Sequence, residues 1–502
     1  MYVIKSVIAL YEHLGQAVAL QLWDLAKYFD RESLVDGMNE LYKNGVQGKL
    51  YKLLYMMNKN TKISVRTAVG DSEQREIGEG WGQGTIEGAL CSAVNLDNGI
   101  KDFFIDSEYE VTYGDIVLRP TLFRDDVSRI CLDPVSAQMG NDRMEAMAET
   151  KLLDFNREKS CYIIIGNKKS KFILQKEFEL QPLTLYGTEM KQVQTEKYLG
   201  DQISSRGLAD SVHVTISKRR GKVLQSIFEI RAVLDDCRSH VTGGMITGLD
   251  IWEMAVLPFL LNNCESWLSI PATAIKELDK LQNLFYRVLL DVPTGCPIPA
   301  MYWDCGDLTM ENRIIKKKLM FLHHIANLPE SALANQFYQV QRKMSLPGLY
   351  EECSEVMTQF DIFDLKKYSK VQFKKLIQNK VQMKNRKDLL NKIKTYRKLS
   401  HHELSLEKFE RKSYFSDLNL NQARIKFRIR SKTLRTIKMN LSSDKIFAKQ
   451  LWSCWHCPMI DSQTHVRVCP AYLHLREEIN LEDDKDLVKY FTQVIKLREN
   501  ML

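Results

Sequence analysis

The feature that most limits how this chain can fold is an apolar segment that stops at an acid. Residues 18–23 alternate apolar side chains in the pattern of a β-strand, and Asp24 follows directly. About a hundred residues later, Thr121–Phe123 and residues 127–131 form the arms of a predicted hairpin, whose polar turn is Arg124-Asp-Asp126. The sequence therefore predicts one acid at a strand end and two more in a hairpin turn.

Acids placed in this way suit the binding of divalent metal ions. Mg²⁺ prefers oxygen ligands, and phosphoryl transfer to a growing strand uses two such ions about 3.5–4 Å apart. Two like charges ~4 Å apart repel by roughly 4 kcal/mol at an effective dielectric of 20, so paired acids need a metal or a proton. Taken singly, however, an Asp at a strand end is usually a turn or cap residue, and Asp pairs in turns are common.

Up to residue 205 strand and helix patterns alternate, which predicts an α+β fold. Helix patterns lie at residues 34–42, 50–57 and 90–103, and the last strand patterns are Cys161–Ile165 and a hairpin-like stretch at 198–203. From residue 208 to 346 the apolar spacing is helical, and the basic segment that follows is mostly helical in pattern.

Five short motifs follow one another in the α+β part. They are Trp23-Asp-Leu-Ala-Lys-Tyr-Phe-Asp30, Gly82-Gln-Gly-Thr85, Phe123-Arg-Asp-Asp126, Phe155-Asn-Arg-Glu-Lys-Ser160 and Lys197-Tyr-Leu-Gly200. In this order they resemble the motifs of reverse transcriptases of the non-LTR (LINE-like) retrotransposon class. The resemblance implies a right-hand polymerase palm, an antiparallel sheet with packed helices, and incomplete fingers.

The resemblance also implies roles for single residues. Asp24 and Asp125 would ligate two Mg²⁺ (or Mn²⁺) ions, Asp126 would support them, and Lys159 would donate a proton to the pyrophosphate leaving group. Phe29, Gln83 and Gly84 would line the path of the incoming nucleotide and the template. The primer would be gripped by Tyr198, Leu199 and Gly200. Core packing for Phe29, a turn without ligand for the Gly-rich stretch and a plain surface position for Lys159 are the alternatives.

A helical thumb is implied by two further stretches. Asn262-Asn-Cys-Glu-Ser-Trp267 and the helix pattern at residues 284–289 resemble the thumb of the same class, where helices hold the duplex behind the active site. The alternative is an ordinary helical core.

Near the end of the chain, Cys454, Cys457, His465 and Cys469 have the types and close spacing of ligands in a small tetrahedral zinc site. His456 is a competing ligand, but it lies between two cysteines, where binding would strain the loop. The cluster resembles the Cys-Cys-His-Cys knuckle that follows the thumb in several LINE-like polymerases, and such knuckles commonly contact single-stranded RNA.

Positive charge is concentrated between Asp361 and Gln450. This segment has 25 Lys and Arg against 8 Asp and Glu, a net charge of +17, so the other 412 residues carry −9. Within it, Arg424, Lys426, Arg428 and Arg430 alternate with apolar residues and are predicted to reach phosphates, from one face of a strand or from around a helix. A solvated face is the alternative.

We expect an intracellular protein of the nucleus or cytoplasm with no membrane partner. Eleven scattered cysteines indicate a reducing compartment, and Lys5, Glu12 and His13 interrupt any signal-peptide pattern. The longest apolar run, residues 254–261, is far shorter than the about 20 residues that cross a bilayer.

The predicted domains are a palm with partial fingers (1–205), a helical thumb (206–346), a basic nucleic-acid-binding segment (347–450), a zinc knuckle (451–475) and a C-terminal tail (476–502). Most of the fingers and an endonuclease domain are expected to be missing from this chain, and Arg124 stands where the family usually has a small residue. The main hypothesis is an RNA-directed DNA polymerase that uses an RNA template, a DNA primer or target and deoxynucleoside triphosphates. The alternatives are an inactive, truncated relic that binds nucleic acid and a maturase-like RNA-folding protein.

Overall fold

A computed structural model of the chain describes residues 1–26, 28–59, 61–76, 86–104, 111–238, 240–395, 408–434, 454, 456–457, 459, 461–477 and 479–499. They form two compact units, each assembled from three stretches of sequence. The first unit contains Met1–Thr215, Ser266–Ile270 and His324–Lys366, and the second contains Ile216–Glu265, Pro271–His323 and the described part of Lys367–Leu502.

The first unit is organised around a five-stranded sheet. Its strands, in chain order, are β1 (Val18–Asp24), β2 (Thr121–Phe123), β3 (Asp126–Cys131), β4 (Cys161–Ile165) and β5 (Lys191–Gln192). Across the sheet they follow the order β5-β4-β1-β3-β2, and β1 is antiparallel to both of its neighbours. Every residue of β1 before Asp24 is buried, so both faces of the central strand are covered.

Helices and short ribbons complete the first unit, giving the mixed α+β composition that the sequence predicts. The helices are Tyr2–His13, Tyr28–Arg31, Leu34–Lys43, Gly48–Asn58, Ile86–Phe103, Pro134–Thr150, Lys168–Leu180, Leu333–Met344 and Leu349–Gln359. The antiparallel ribbons pair Lys62–Ile63 with Arg75–Glu76, Arg66–Thr67 with Gly70–Asp71, Val111–Tyr113 with Ile116–Leu118, Thr184–Leu185 with Thr188–Glu189, and Thr195–Tyr198 with Asp201–Ser204.

The second unit is helical in its described residues. Its helices are Leu208–Arg238, Gly244–Ile251, Leu257–Leu260, Ala272–Leu290, Ile298–Cys305, Met310–Ala326, Lys370–Thr395, Tyr414–Asp417, Leu420–Arg430, Gln463–Val466, Leu473–Arg476 and Asp484–Glu499, with a π-helical turn at Trp252–Val256. Leu208–Arg238 and Met310–Ala326 have residues in both units. Of the helices described in either unit, none has both the length and the apolar character needed to cross a bilayer.

A buried amide fixes helix Pro134–Thr150 on the sheet. Asn141 Oδ1 accepts hydrogen bonds from Gln21 Nε2 (2.9 Å) and Trp23 Nε1 (3.0 Å), and Asn141 Nδ2 donates to the Thr184 carbonyl (2.8 Å). Because buried polar groups need partners, this contact explains how a glutamine fits in the middle of a fully buried strand.

Replacing Asn141 with Ala should lower the free energy of unfolding by about 2 kcal/mol, because it leaves the buried Trp23 Nε1–H without this acceptor at a cost of roughly 1–3 kcal/mol, while Gln21 Nε2 keeps the Ala137 carbonyl. Urea denaturation followed by tryptophan fluorescence measures the change. Glu149→Ala, at an exposed position of the same helix, is the matched control, with an expected change of about 0.5 kcal/mol or less. Equal midpoints for the two variants would contradict the structural role of Asn141.

Candidate active site and candidate metal centre

The three predicted acids meet at one end of the central sheet. Asp24, the last residue of β1, lies directly opposite Asp126, the first residue of β3. Phe123 also faces Asp126 across the β2–β3 hairpin, so Arg124 and Asp125 are the two residues of its turn. The strand register alone therefore places acids that are about a hundred residues apart in the sequence side by side.

Burial and like charge act together on the hairpin carboxyl. The pKa of Asp126 is raised above its ordinary value, first by burial and then by the negative charges of Asp125 and Asp24. A raised pKa in the folded state means that ionising Asp126 disfavours the folded protein once the pH exceeds the ordinary pKa of an Asp. A bound divalent cation would offset part of this cost, because it would neutralise the charges of Asp125 and Asp24 and would stabilise the ionised form of Asp126.

The turn that holds Asp125 is strained. Arg124 has a backbone φ of 61°, in the left-handed region, at the first position of a two-residue hairpin turn. That position favours glycine, because other side chains rarely adopt a positive φ. The Arg124 guanidinium lies 6.0 Å from the centre of the Phe123 ring. Sparsely populated backbone conformations of this kind cluster at functional sites.

Lys159 is placed beside the first acid by a short capped loop. Its Nζ lies 3.6 Å from Asp24 Oδ2, with the two side chains 69% and 40% exposed, so the pair adds little to stability. Asn156 Oδ1 accepts hydrogen bonds from the backbone N–H groups of Glu158 and Lys159. Ser160 Oγ accepts from the Asp24 N–H at 3.1 Å. Lys159 and Ser160 thus contact Asp24, and Asn156 caps the loop that carries them.

Tyr198 lies beneath the carboxylate hairpin and is buried. Its hydroxyl is 3.1 Å from Ser128 Oγ and 3.4 Å from the carbonyl oxygen of Asp126. Leu199 and Gly200 form the turn of its own hairpin, with φ of 47° and 85°. The Tyr198 hydroxyl therefore supports the carboxylate hairpin, and the primer grip by Tyr198, Leu199 and Gly200 stays a prediction.

Three further predicted residues are described only in part or not at all. Phe29 belongs to helix Tyr28–Arg31, but its side chain lies outside the described residues, as do Gln83 and Gly84. The neighbouring Tyr28, which the motif comparison did not single out, is buried and donates a hydrogen bond to the Ser92 carbonyl at 2.5 Å. Burial, followed by the charges of Glu32 and Asp125, raises its pKa.

The four cysteine and histidine ligands converge in the second unit. One ligand atom from each of Cys454, Cys457, His465 and Cys469 lies within 4.8 Å of the others, so the group could hold a zinc ion. Cys454 Sγ and Cys469 Sγ are 3.8 Å apart. Two sulfurs on a tetrahedral zinc, with bonds of about 2.3 Å, are separated by about the same distance. Burial raises the pKa of the Cys454 thiol to about 11, so metal binding there must release a proton.

The surroundings of this centre favour the ligand set predicted from spacing. His456 is not part of the group and packs edge-on against Tyr472, with ring centres 5.6 Å apart. Helix Asp484–Glu499 packs onto the same core, and its Arg498 forms a two-point ion pair with the buried Asp461 (2.7 and 3.0 Å).

The four cations at residues 424–430 form ion pairs inside the second unit. The segment is a helix, Leu420–Arg430, so the strand alternative is wrong. Its cations pair as follows: Arg424 with Asp235, Lys426 with Asp484, Arg428 with Asp291, and Arg430 with Asp304. Because internal acids pair with these cations, the structure gives the four cations a packing role, and their phosphate contacts stay a prediction.

Exposed positive charge lies instead on helix Lys370–Thr395. One stripe of this helix is buried, at Phe373, Ile377, Val381, Asn385, Leu389 and Ile393. Exposed cations occupy other positions: Lys374, Lys375, Arg386, Lys387, Lys392 and Lys394. The spacing of four between buried residues could have identified this face from the sequence.

Comparisons with known proteins do not assign the chain to a family. No family model matches the chain, and no curated protein matches it. Among solved structures, telomerase from Candida albicans, in complex with a fragment of telomeric RNA, is similar with a TM-score of 0.37 and 10% identity over 71% of this chain. The similarity spans 54% of the telomerase chain, about half of its length. A likeness of this strength carries no argument about activity.

Replacing Cys454 with Ser should reduce zinc from about one ion per chain to near zero, because three remaining ligands leave the tetrahedral site open. Elemental analysis of purified full chain after dialysis against a weak chelator measures the content. His456→Gln is the matched control and should keep its zinc, since the His456 ring lies outside the ligand group. Equal zinc in parent and Cys454→Ser would rule out the site.

Proposed function

We propose that this chain is the catalytic part of an RNA-directed DNA polymerase of the non-LTR retrotransposon type. The observation that carries the proposal is the meeting of Asp24, Asp125, Asp126 and Lys159 at one end of the sheet. These residues come from three separate motifs, and nothing in the local sequence of any one motif requires the other two to lie beside it. Their assembly supports a shared chemical task.

In this proposal Asp24 and Asp125 hold two Mg²⁺ or Mn²⁺ ions, and Asp126 supports them from the first position of β3. Carboxylate oxygens are the hard ligands these ions prefer. When bound, the ions would supply activation of the primer hydroxyl and neutralisation of the leaving group. Lys159 would hold its ammonium group at the Asp24 side of the site, where it can donate a proton to departing pyrophosphate.

The proposed partners are an RNA template, a DNA primer or target, and deoxynucleoside triphosphates. The exposed cations of helix Lys370–Thr395 are suited to phosphate contacts, and binding through them would weaken steeply with salt. The zinc centre is proposed to contact single-stranded RNA. Residues 1–205 would correspond to the palm and residues 206–346 to the thumb.

Full chain mixed with an RNA template, an annealed DNA primer, deoxynucleotides and Mg²⁺ should extend the primer. Asp125→Asn should slow extension by about a thousandfold, since loss of a metal ligand costs several kcal/mol of transition-state stabilisation. Extension on a denaturing gel is the measurement. Asp115→Asn, an exposed aspartate in another turn of the first unit, is the control and should match the parent. A parent that binds RNA in a salt-sensitive way but never extends the primer would favour the inactive relic.

Two substitutions at Arg124 should distinguish the effect of its charge on metal binding from the effect of its backbone conformation on stability. Arg124→Ala removes the cation beside the carboxylates and should tighten Mn²⁺ binding a few-fold, because like charges repel. Arg124→Gly also removes the strain of a positive φ, and should in addition raise the free energy of unfolding by about 1 kcal/mol relative to Arg124→Ala. Titration by electron paramagnetic resonance measures the binding, and urea denaturation measures stability. Identical Mn²⁺ affinity in the parent and in both variants would show that Arg124 does not act on the site.

A further inference from the structure

A buried ion pair lies at the turn end of the Thr195–Ser204 hairpin. Lys5, on helix Tyr2–His13, places its Nζ 2.7 Å from Asp201 Oδ2, and the two side chains are 4% and 1% exposed. Lys5 Nζ also donates to Ser266 Oγ (3.2 Å), and Trp267 Nε1 donates to the same Asp201 oxygen (3.2 Å). All four residues belong to the first unit.

The same helix also holds the chain just after this hairpin. The Glu12 carboxylate accepts a hydrogen bond from the backbone N–H of Leu208 (3.1 Å), at the start of helix Leu208–Arg238. Lys5 and Glu12 lie seven residues apart, two turns along helix Tyr2–His13. One helix therefore fixes the hairpin at Asp201 and the chain that leaves the hairpin at Leu208.

The hairpin in turn contacts the carboxylate turn. Asp201 is paired with Tyr198 across the Leu199-Gly200 turn. The Tyr198 hydroxyl reaches the Asp126 carbonyl and Ser128 Oγ. Direct contacts thus run from Lys5 through Asp201 and Tyr198 to the strand that carries Asp126.

Stability alone does not account for an ion pair at this depth. Removing two charges from water costs several kcal/mol per ion, and well-packed apolar replacements of both partners are often neutral or stabilising. The pair instead fixes how the hairpin is aligned on helix Tyr2–His13, because a charge-assisted hydrogen bond has a specific geometry.

We propose that Lys5 and Asp201 are positioning residues that hold the hairpin so that Tyr198 fixes the turn bearing Asp125 and Asp126. They act through Tyr198 and do not touch substrate. The catalytic consequence rests on the proposed polymerase function, but the positioning itself does not.

The test uses the full chain with Lys5→Met and Asp201→Asn combined. This double variant removes both charges, yet the amide introduced at position 201 keeps an oxygen acceptor for Trp267, so the urea midpoint should stay close to that of the parent. Under native conditions the backbone amides of residues 121–131 should exchange with deuterium about tenfold faster, measured by mass spectrometry. In primer extension kcat should fall about tenfold while KM for the deoxynucleotide stays unchanged.

Two comparisons make the result specific. Lys176→Met with Glu179→Gln removes an exposed ion pair of the same unit and should leave exchange at 121–131 unchanged. In a Tyr198→Phe background the Lys5/Asp201 double variant should add no further acceleration, because the contact that transmits its effect is already absent.

Unchanged exchange at 121–131, or faster exchange throughout the unit with a lowered midpoint, would overturn the positioning role. If the parent never extends a primer but the local exchange result is found, the polymerase proposal fails and the positioning proposal stands.

Discussion

The pairing of β1 with β3 is the constraint on which the rest of the first unit depends. Because β1 lies between two antiparallel neighbours and is buried on both faces, a slip of one residue would move every side chain of the strand to the opposite face. The hydrogen bonds of Gln21 and Trp23 to Asn141 fit a single register. That register decides which residue of β3 lies opposite Asp24. The geometry of the acids is therefore a result of core packing.

Much of this arrangement could be predicted from sequence, and the limits of that prediction are physical. Short apolar runs indicated the strand that ends at Asp24 and the strand Cys161–Ile165, because a strand buried on both faces is apolar along nearly its whole length. Sequence patterns do not identify which side chains contact each other. The burial of Tyr198 and the hydrogen bond from Asp24 to Ser160 depend on contacts across many residues. Likewise, the alternation at residues 424–430 showed that cations were present but could not show that Asp235, Asp291 and Asp304 neutralise three of them.

The Cys/His group and the carboxylates proposed to bind Mg²⁺ are metal ligands of opposite chemical character. Carboxylate oxygens such as those of Asp24, Asp125 and Asp126 favour hard ions such as Mg²⁺, whereas the thiolates and imidazole of the second unit favour zinc. Ligand type would separate the two ions together with site geometry and metal availability. The Cys/His group is closed by four protein ligands, as in structural sites, while the carboxylate end of the sheet is partly open to solvent.

The packing of helix Asp484–Glu499 has a consequence for the life of the protein in a cell. Buried Tyr490 and Phe491 lie in the same apolar cluster as Cys454 and Cys469, and the Tyr490 hydroxyl bonds to the carbonyl of Val466, next to His465. Zinc held by this group would therefore couple the folding of the cluster to metal loading. A copy made under zinc shortage would expose aromatic side chains at its C-terminal end, the kind of surface on which chaperones and proteases act. Metal supply would then govern how much of the protein accumulates.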